Sequence, residues 1–350
     1  MSQPMSPAQV ACLSVVIEPS SAFGTPLKGD TLFGHLCWAI ANRYGEAQLA
    51  SLLAGYTEGR PFAVVSDAFP SGHWPRPDLP PHILGAVDPT ERKASKKRVW
   101  LPHSRFESPI DSWLRWMVET PDSAEDVNGS EPERSQQSSR FVNHETRFRN
   151  SIDRSTGTTG RGFDPYASDE FRYRQGTRLE CHILRDPERL NADTLLSAMS
   201  DIGALGYGRD ASVGLGRFKV LDAGPNGQRT ALPEQDGANA WLTLAPVAPQ
   251  GLGLSPERSW YRPMTRFGRH DDRAVSLGKP FKAPLLLADT GAVLSLVGGR
   301  FDARPFVGQG LGGTGDPISL VLPETVHQGY APVLGIRLPE VEAEDRTSLR

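Results

Sequence analysis

Two stretches of this chain carry residues able to hold an anion. The first, GYGRDASVGLGRFKV at 206–220, sets Gly206, Gly208, Gly214 and Gly216 among Arg209, Ser212, Arg217 and Lys219. A residue without a β-carbon lets the backbone approach a phosphate or take a left-handed turn, and arginine adds a fork of donors. Chain order narrows the chemistry. A dinucleotide fold needs a strand, then G-x-G-x-x-G, then a helix whose N-terminus faces the pyrophosphate. Here the order is helix, glycine loop, strand, which argues against a nicotinamide or flavin, and the Walker spacing is absent too. No cofactor is expected. Two readings remain: backbone amides laid along a run of phosphates, or a tight helix-to-strand turn with positive φ at the glycines.

The second stretch is HETRFRNSIDRSTGTTGRGFDPYASDEFRYRQGTR, at 144–178. It holds His144, Arg147, Arg149, Asn150, Arg154, Thr156, Thr158, Thr159 and Arg161, followed by Arg172, Arg174 and Arg178. Phe148, Phe163, Tyr166, Phe171 and Tyr173 lie between them. Guanidinium forks match phosphates, aromatic rings stack on unpaired bases, and small hydroxyl residues let a strand come near. Interleaved basic and aromatic residues are the footprint of a single-stranded nucleic acid; the plainer alternative is a solvated loop.

Catalytic patterns are missing. The eight histidines form no H-E-x-x-H pair, and no G-x-S-x-G elbow occurs, so neither a metal site nor a catalytic residue is expected. A metal-independent ribonuclease would need a histidine as general acid or base, and His35 and His144 are the candidates. Each also reads as a structural group or an RNA contact. Asp67, in SDAFP, reads as a turn acceptor rather than a metal ligand.

The net charge of −3 gives no global attraction to nucleic acid, so an anion site must be a local patch. Cys12, Cys37 and Cys181 lie far apart with no C-x-x-C, which fits buried thiols in a reducing cytoplasm. No basic region followed by an apolar core opens the chain, and no apolar run is long enough for a membrane span. The expected location is cytoplasmic.

Patterning predicts the elements that must place these groups. Residues 11–20 read as a strand, and 28–45 as a helix with Asp30 or Thr31 as cap and Gly45 as stop. A short helix near 47–53 and a strand at 61–69 follow. PSGHWPRPDLPPH is too rich in proline for either element. ERKASKKR at 91–98 is a basic run, 111–119 a short helix or strand, and 120–140 a polar insertion without an assigned role. TRLECHILR at 177–185 alternates as a strand with one polar face, and 191–206 is an amphipathic helix that leads into the glycine loop and a strand at 216–221. The order β-α-β-β-α-β is that of the ferredoxin-like unit shared by RNA-recognition modules. Beyond a polar break, strands at 240–247, 283–298 and 330–338 suggest a second, degenerate β-rich unit, and GQGLGGTGD at 308–316 has no assigned role.

KGDTLFGHLCWAIANRYGE, PFAVVSDAFPSG, RNSIDRSTGTTG and GYGRDASVGLGRFKV, in this order and at these spacings, resemble the subunit-four family of type III-A CRISPR Csm effector complexes. That family lies within the RAMP superfamily of CRISPR-associated RNA-binding proteins. The resemblance spans residues 10–220 and is weaker at YAPVLGIRLP. It implies an α+β protein of two ferredoxin-like (RRM-like) domains, 1–223 and 236–340, with a thumb-like insertion at 85–160 and a glycine-rich loop. It implies a non-catalytic role: holding the single-stranded 5′ repeat-derived handle of the CRISPR RNA for antiviral defence. The implied partners are that RNA, a large polymerase-like subunit, a backbone RAMP subunit and target RNA near the start of the guide duplex. The implied RNA contacts are Lys28 and His35, the 144–161 residues named above, and Gly206, Gly208, Arg209, Ser212, Gly214, Gly216 and Arg217. Two alternatives stay open: an endoribonuclease of similar fold that processes CRISPR precursor RNA, and a protein-interaction module without RNA contacts.

Overall fold

The computed structural model describes residues 10–85, 89–121, 141–150, 152–159, 165–221, 228–229, 231–270, 281–299 and 301–340. Apolar and β-branched residues make ACLSVVIEP a strand, β1 (Ala11–Pro19). Helix α1 (Gly29–Tyr44), helix α2 (Glu46–Leu53) and strand β2 (Ala63–Pro70) follow. Gly45, at φ 95°, closes α1 as its sequence predicts. The N-terminal cap is different. Neither Asp30 nor Thr31 sits at the cap; that position is Lys28, whose side chain makes no capping bond. The Gly29 amide instead donates to Asp67 Oδ1 at 2.7 Å, so the cap comes from β2.

An excursion then forms β3 (His73–Pro75), α3 (Pro81–Leu84), α4 (Arg92–Lys97), β4 (Trp100–Pro102) and α5 (Trp113–Trp116). The proline-rich segment thus holds two short elements. Proline is tolerated at the end of a three-residue strand and in the first turn of a helix. A long hairpin, β5 (Val142–Arg149) with β6 (Tyr166–Tyr173), comes next. The chain returns as β7 (Leu179–Arg185), α6 (Ala192–Leu205), β8 (Phe218–Leu221) and β9 (Gln228–Arg229). The polar insertion lies outside the described residues from 122 to 140.

These strands make one antiparallel sheet, ordered β2-β7-β1-β8, with β9 also on β1. Leu32, Phe33, Leu36 and Ile40 of α1 and Leu195, Met199 and Ile202 of α6 pack with Val15, Ile17, Val65 and Ile183 of the sheet. Each such side chain contributes roughly 1.5–3 kcal/mol of burial. The expected polar face of β7 is overturned: its burial pattern is BBBBBBi, with Glu180 and His182 inside. Trp74 of β3 lies over that face, its ring 4.9 Å from His182.

The second half contributes β10 (Ala240–Thr243), β11 (Pro263–Arg266), β12 (Leu285–Ala288), β13 (Val293–Leu294), β14 (Phe306–Gly312) and β15 (Val326–Ile336). They form an antiparallel sheet β13-β10-β15-β14 and a separate β11-β12 pair. Trp74, Leu101, Phe106 and Trp113 of the excursion share a core with Leu242, Leu244, Val293 and Leu334. Within the expected insertion at 85–160, Leu101, Phe106 and Trp113 pack in the second half's core, while β5 is largely exposed and pairs with β6 beyond those bounds. No helix among the described residues is long and apolar enough to cross a membrane.

The two halves meet through buried polar groups. Gln328 of β15 accepts from the Val65 amide and donates to the Val65 carbonyl, both at 2.8 Å. Asp30 of α1 receives Arg266 Nε at 2.6 Å and Nη2 at 2.9 Å, and His327 Nε2 lies 3.3 Å away. Burial alone would raise the Asp30 pKa, but His327 and Arg266 outweigh it and hold it at about 2. A folded-state value below the unfolded 3.8 gives stability that is fully present above 3.8 and lost as pH falls toward about 2. The expected contribution is about 2 kcal/mol. Acid unfolding followed by circular dichroism should show Asp30→Asn less stable near neutrality, with a shallower loss of stability across that window.

Candidate functional site

The glycine loop begins where α6 ends. Gly206, Gly208, Gly214 and Gly216 all take positive φ, between 73° and 109°. Close approach adds a second demand at Gly216, where a β-carbon would meet the Tyr207 carbonyl oxygen at 2.0 Å. Tyr207 anchors the loop inside the protein. Its hydroxyl donates to the Pro26 carbonyl at 2.7 Å and accepts from the Lys28 amide at 3.0 Å.

The loop's amides mostly point inward. Tyr207 N donates to Gly216 O, Gly216 N to Ala22 O, Val213 N and Leu215 N to Asp210 O, and Gly214 N to Ala211 O. Gly208 N donates to His35 Nε2, Arg209 N to Thr25 Oγ1 and Arg217 N to Ser21 Oγ. The expectation of a row of free amides gives way to the second reading, a tight turn that exposes side chains. Arg209, Ser212, Val213 and Arg217 are the exposed ones. His35 is a support for this turn: its Nε2 accepts from Gly208 at 3.0 Å and its ring lies 5.0 Å from Tyr207.

Lys28 is also committed within the fold. Its Nζ is 3.0 Å from Asp67 Oδ2, 2.7 Å from Asp289 Oδ1 and 3.2 Å from Thr290 Oγ1. Burial works against this charge, yet Asp67 and Asp289 outweigh it and hold the ammonium above the usual lysine range. The sequence offers Lys28 as an RNA contact; folding spends its charge on carboxylates.

The arginine–aromatic stretch is a β-hairpin, not a loop. β5 and β6 pair in register from Val142↔Tyr173 to Arg149↔Tyr166. Residues opposite one another share a face, so Arg147 and Arg149 lie on the face of Ser168, Glu170 and Tyr166. Buried Glu170 holds Arg149 in an ion pair, with Arg147 Nη1 at 3.9 Å. Its aromatics divide by role. Phe171 and Tyr173 pack on Phe23, with ring centroids 6.0 and 5.6 Å away. Phe148 and Tyr166 stay exposed, at 78% and 51%. These two were visible in the sequence as part of the aromatic series; Phe148 shares the face of Phe171 and Tyr173 but lies beyond the reach of Phe23, and Tyr166 is on the other face. His144 is exposed, with Phe171 5.9 Å from its ring. Asn150, Arg154, Thr156, Thr158 and Thr159 are exposed toward and within the turn that follows β5, where Thr156 and Thr158 hydroxyls lie 3.0 Å apart. Arg161 and Phe163 lie outside the described residues.

Folding joins the two stretches. Phe23 exchanges backbone hydrogen bonds with Phe171, at 2.8 and 2.9 Å, along the free edge of β6. The next residues of that segment hold the glycine loop through Ala22 and Thr25. Arg209 reaches the Asp169 carbonyl, and Ser168 Oγ lies 3.4 Å from Asp210 Oδ2. β5, β6, residues 20–25 and the glycine loop thus lie side by side.

The family model described as RAMP superfamily matches residues 24–219. No curated protein matches the sequence. Two solved structures share the fold at low identity. One is a crystal structure of a Csm1–Csm4 cassette in complex with pppApA, at 19% identity and a TM-score of 0.54, covering 95% of this chain and 100% of that one. The other is a Csm3–Csm4 subcomplex of the type III-A CRISPR-Cas interference complex, at 14% identity and a TM-score of 0.57, covering 93% and 99%.

Two glycines separate backbone conformation from crowding. A β-carbon at Gly214 meets open space, so Gly214→Ala should cost only the left-handed backbone, about 1 kcal/mol. Gly216→Ala adds the clash with Tyr207 and should cost roughly 3 kcal/mol. Urea denaturation should rank them in that order, with faster amide exchange across 206–217 in Gly216→Ala.

Proposed function

The chain belongs to the RAMP superfamily, and from that premise we propose that it is a non-catalytic RNA-binding subunit of a type III-A CRISPR effector complex. Its task in this reading is to grip the single-stranded 5′ handle of the guide RNA. The two structures of like fold have Csm4 in common, paired with Csm1 in one and Csm3 in the other. That kinship supports a large subunit and a backbone RAMP subunit as the partners of this chain; guide and target RNA rest on the sequence resemblance alone. We read residues 1–223 as a ferredoxin-like domain, supported by the sheet order β2-β7-β1-β8, and 236–340 as its degenerate counterpart. We read the thumb, expected at 85–160, as extending into the exposed β5–β6 hairpin, whose first strand lies within those bounds.

The observation that carries this reading is the lateral continuity of hairpin, 20–25 segment and glycine loop. Along it lie exposed Arg147, Arg154, Arg209 and Arg217, with Phe148 and Tyr166 open for stacking on bases. With a net charge of −3 over the whole chain, attraction to RNA at this surface would come from these four guanidinium groups.

The test uses the chain within its assembled complex and a single-stranded RNA bearing the repeat handle. Replacing Arg154 and Arg217 by alanine should weaken binding, and each lost phosphate contact should lower the salt slope by about 0.7. Lys28→Ala should reduce stability by about 2 kcal/mol, through the stranded Asp67 carboxylate, and leave the slope unchanged. Fluorescence anisotropy across a salt series reads both; a slope indifferent to the two arginines sinks the proposal.

Incubation with repeat-containing precursor RNA, without metal, separates this role from that of a nuclease. Intact RNA is the expected result. Site-specific cleavage that disappears in His144→Ala would establish the endoribonuclease instead.

A further inference from the structure

Sequence spacing gives the histidines no metal pattern, yet folding gathers three ligand-type side chains away from the RNA-facing edge. One ligand atom each from His103, Glu180 and His182 lie within 4.8 Å of one another. We propose that His103, Glu180 and His182 form a binding site for a divalent transition metal, zinc by the chemistry of the donors. Two imidazoles and one carboxylate match zinc, and three protein ligands leave a fourth position for water.

The site is built rather than accidental. Glu180 and His182 stand two residues apart on β7, so both side chains face the same way. His103 arrives from the turn directly after β4. Its amide donates to the Gly72 carbonyl at 2.8 Å, while the Gly72 amide donates to Glu180 Oε2 at 3.3 Å, which ties the turn to the strand. Ser14 Oγ lies 2.8 Å from His182 Nδ1, and Glu180 Oε1 lies 4.0 Å from the same nitrogen, so the ring is anchored beside the carboxylate. Trp74 stacks on His103 with ring centroids 3.9 Å apart, and its own buried indole N–H has no acceptor among the described residues. A cation placed here would be held by His182, which is buried, and by Glu180 and His103, which keep some exposure, and water bound to it would offer that indole an acceptor. The ion would pin the excursion to the central sheet.

The full-length chain, stripped with a chelator and dialysed, should take up about one Zn2+ by isothermal titration, with metal confirmed by atomic emission. Co2+ in its place should give the visible absorption of a tetrahedral site. Glu180→Gln keeps the side chain's shape, and His103 is only partly buried, so His103→Ala should still fold; near-UV circular dichroism verifies both. Each should weaken Zn2+ binding by more than about tenfold, the loss that even a change behind the ligands brings. His82→Ala, at an exposed position on α3, should bind as the unaltered chain does. Failure of the unaltered chain to take up metal, or uptake undiminished in the folded Glu180→Gln and His103→Ala variants, overturns the site.

Discussion

A single carboxylate with almost no access to water, Asp67, sets how the two halves of this molecule meet. A register shift in β2 between Val65 and Ala68 brings it to the seam. There it accepts the Gly29 amide at 2.7 Å at the start of α1 and the Thr290 hydroxyl at 2.6 Å, with Lys28 Nζ at 3.0 Å. Its own amide donates to Leu244 of the second half at 2.8 Å. The same carboxylate therefore caps a helix, neutralises a cation and fixes the approach of a second sheet. Polar contacts of this kind are directional, and a small shift between the halves would strand a buried charge. Gln328 adds to the constraint by pairing with Val65 as a strand would.

This seam explains the composition of the proposed RNA surface. Lys28 and His35, close to the glycine loop and partly buried, are engaged by Asp67, Asp289 and the Gly208 amide. The loop's amides are likewise engaged, so the exposed chemistry comes from guanidinium groups and two open aromatic rings. A surface of that sort suits a flexible polyanion better than a compact nucleotide, which needs a closed cradle of backbone donors.

Much of the first half was legible because its signals are local. Alternating apolar residues mark β1, the spacing of Leu32, Phe33, Leu36 and Ile40 marks α1, and Gly45 marks its end. The glycine loop's place between helix and strand was legible for the same reason. What escaped depends on partners remote in sequence. Asp67 and Thr290 are 223 residues apart, Val65 and Gln328 263 apart, and no local pattern announces either bond. Alternation along β7 suggested a wet face because nothing in LECHILR shows that Trp74 will lie over His182. The basic–aromatic series was visible, but nothing local shows that Phe23, far earlier in the chain, will cover Phe171 and Tyr173 while Phe148, on the same face farther along the hairpin, and Tyr166, on the other face, stay open.

Gly308, Gly310 and Gly312 of GQGLGG belong to β14, pressed between its partner strand and the turn after α2. A β-carbon at Gly308 would lie 2.1 Å from the Gly329 carbonyl oxygen, and one at Gly310 would lie 2.6 Å from that of Tyr56. At Gly308, Gly310 and Gly312 a larger residue must displace main chain, and Gly308 and Gly312 also take positive φ, so at these positions the run is closed to drift by packing and backbone conformation. Across descendants it would keep a spelling that mimics a ligand loop, and a reader of invariance would be drawn to a seam instead of a binding site.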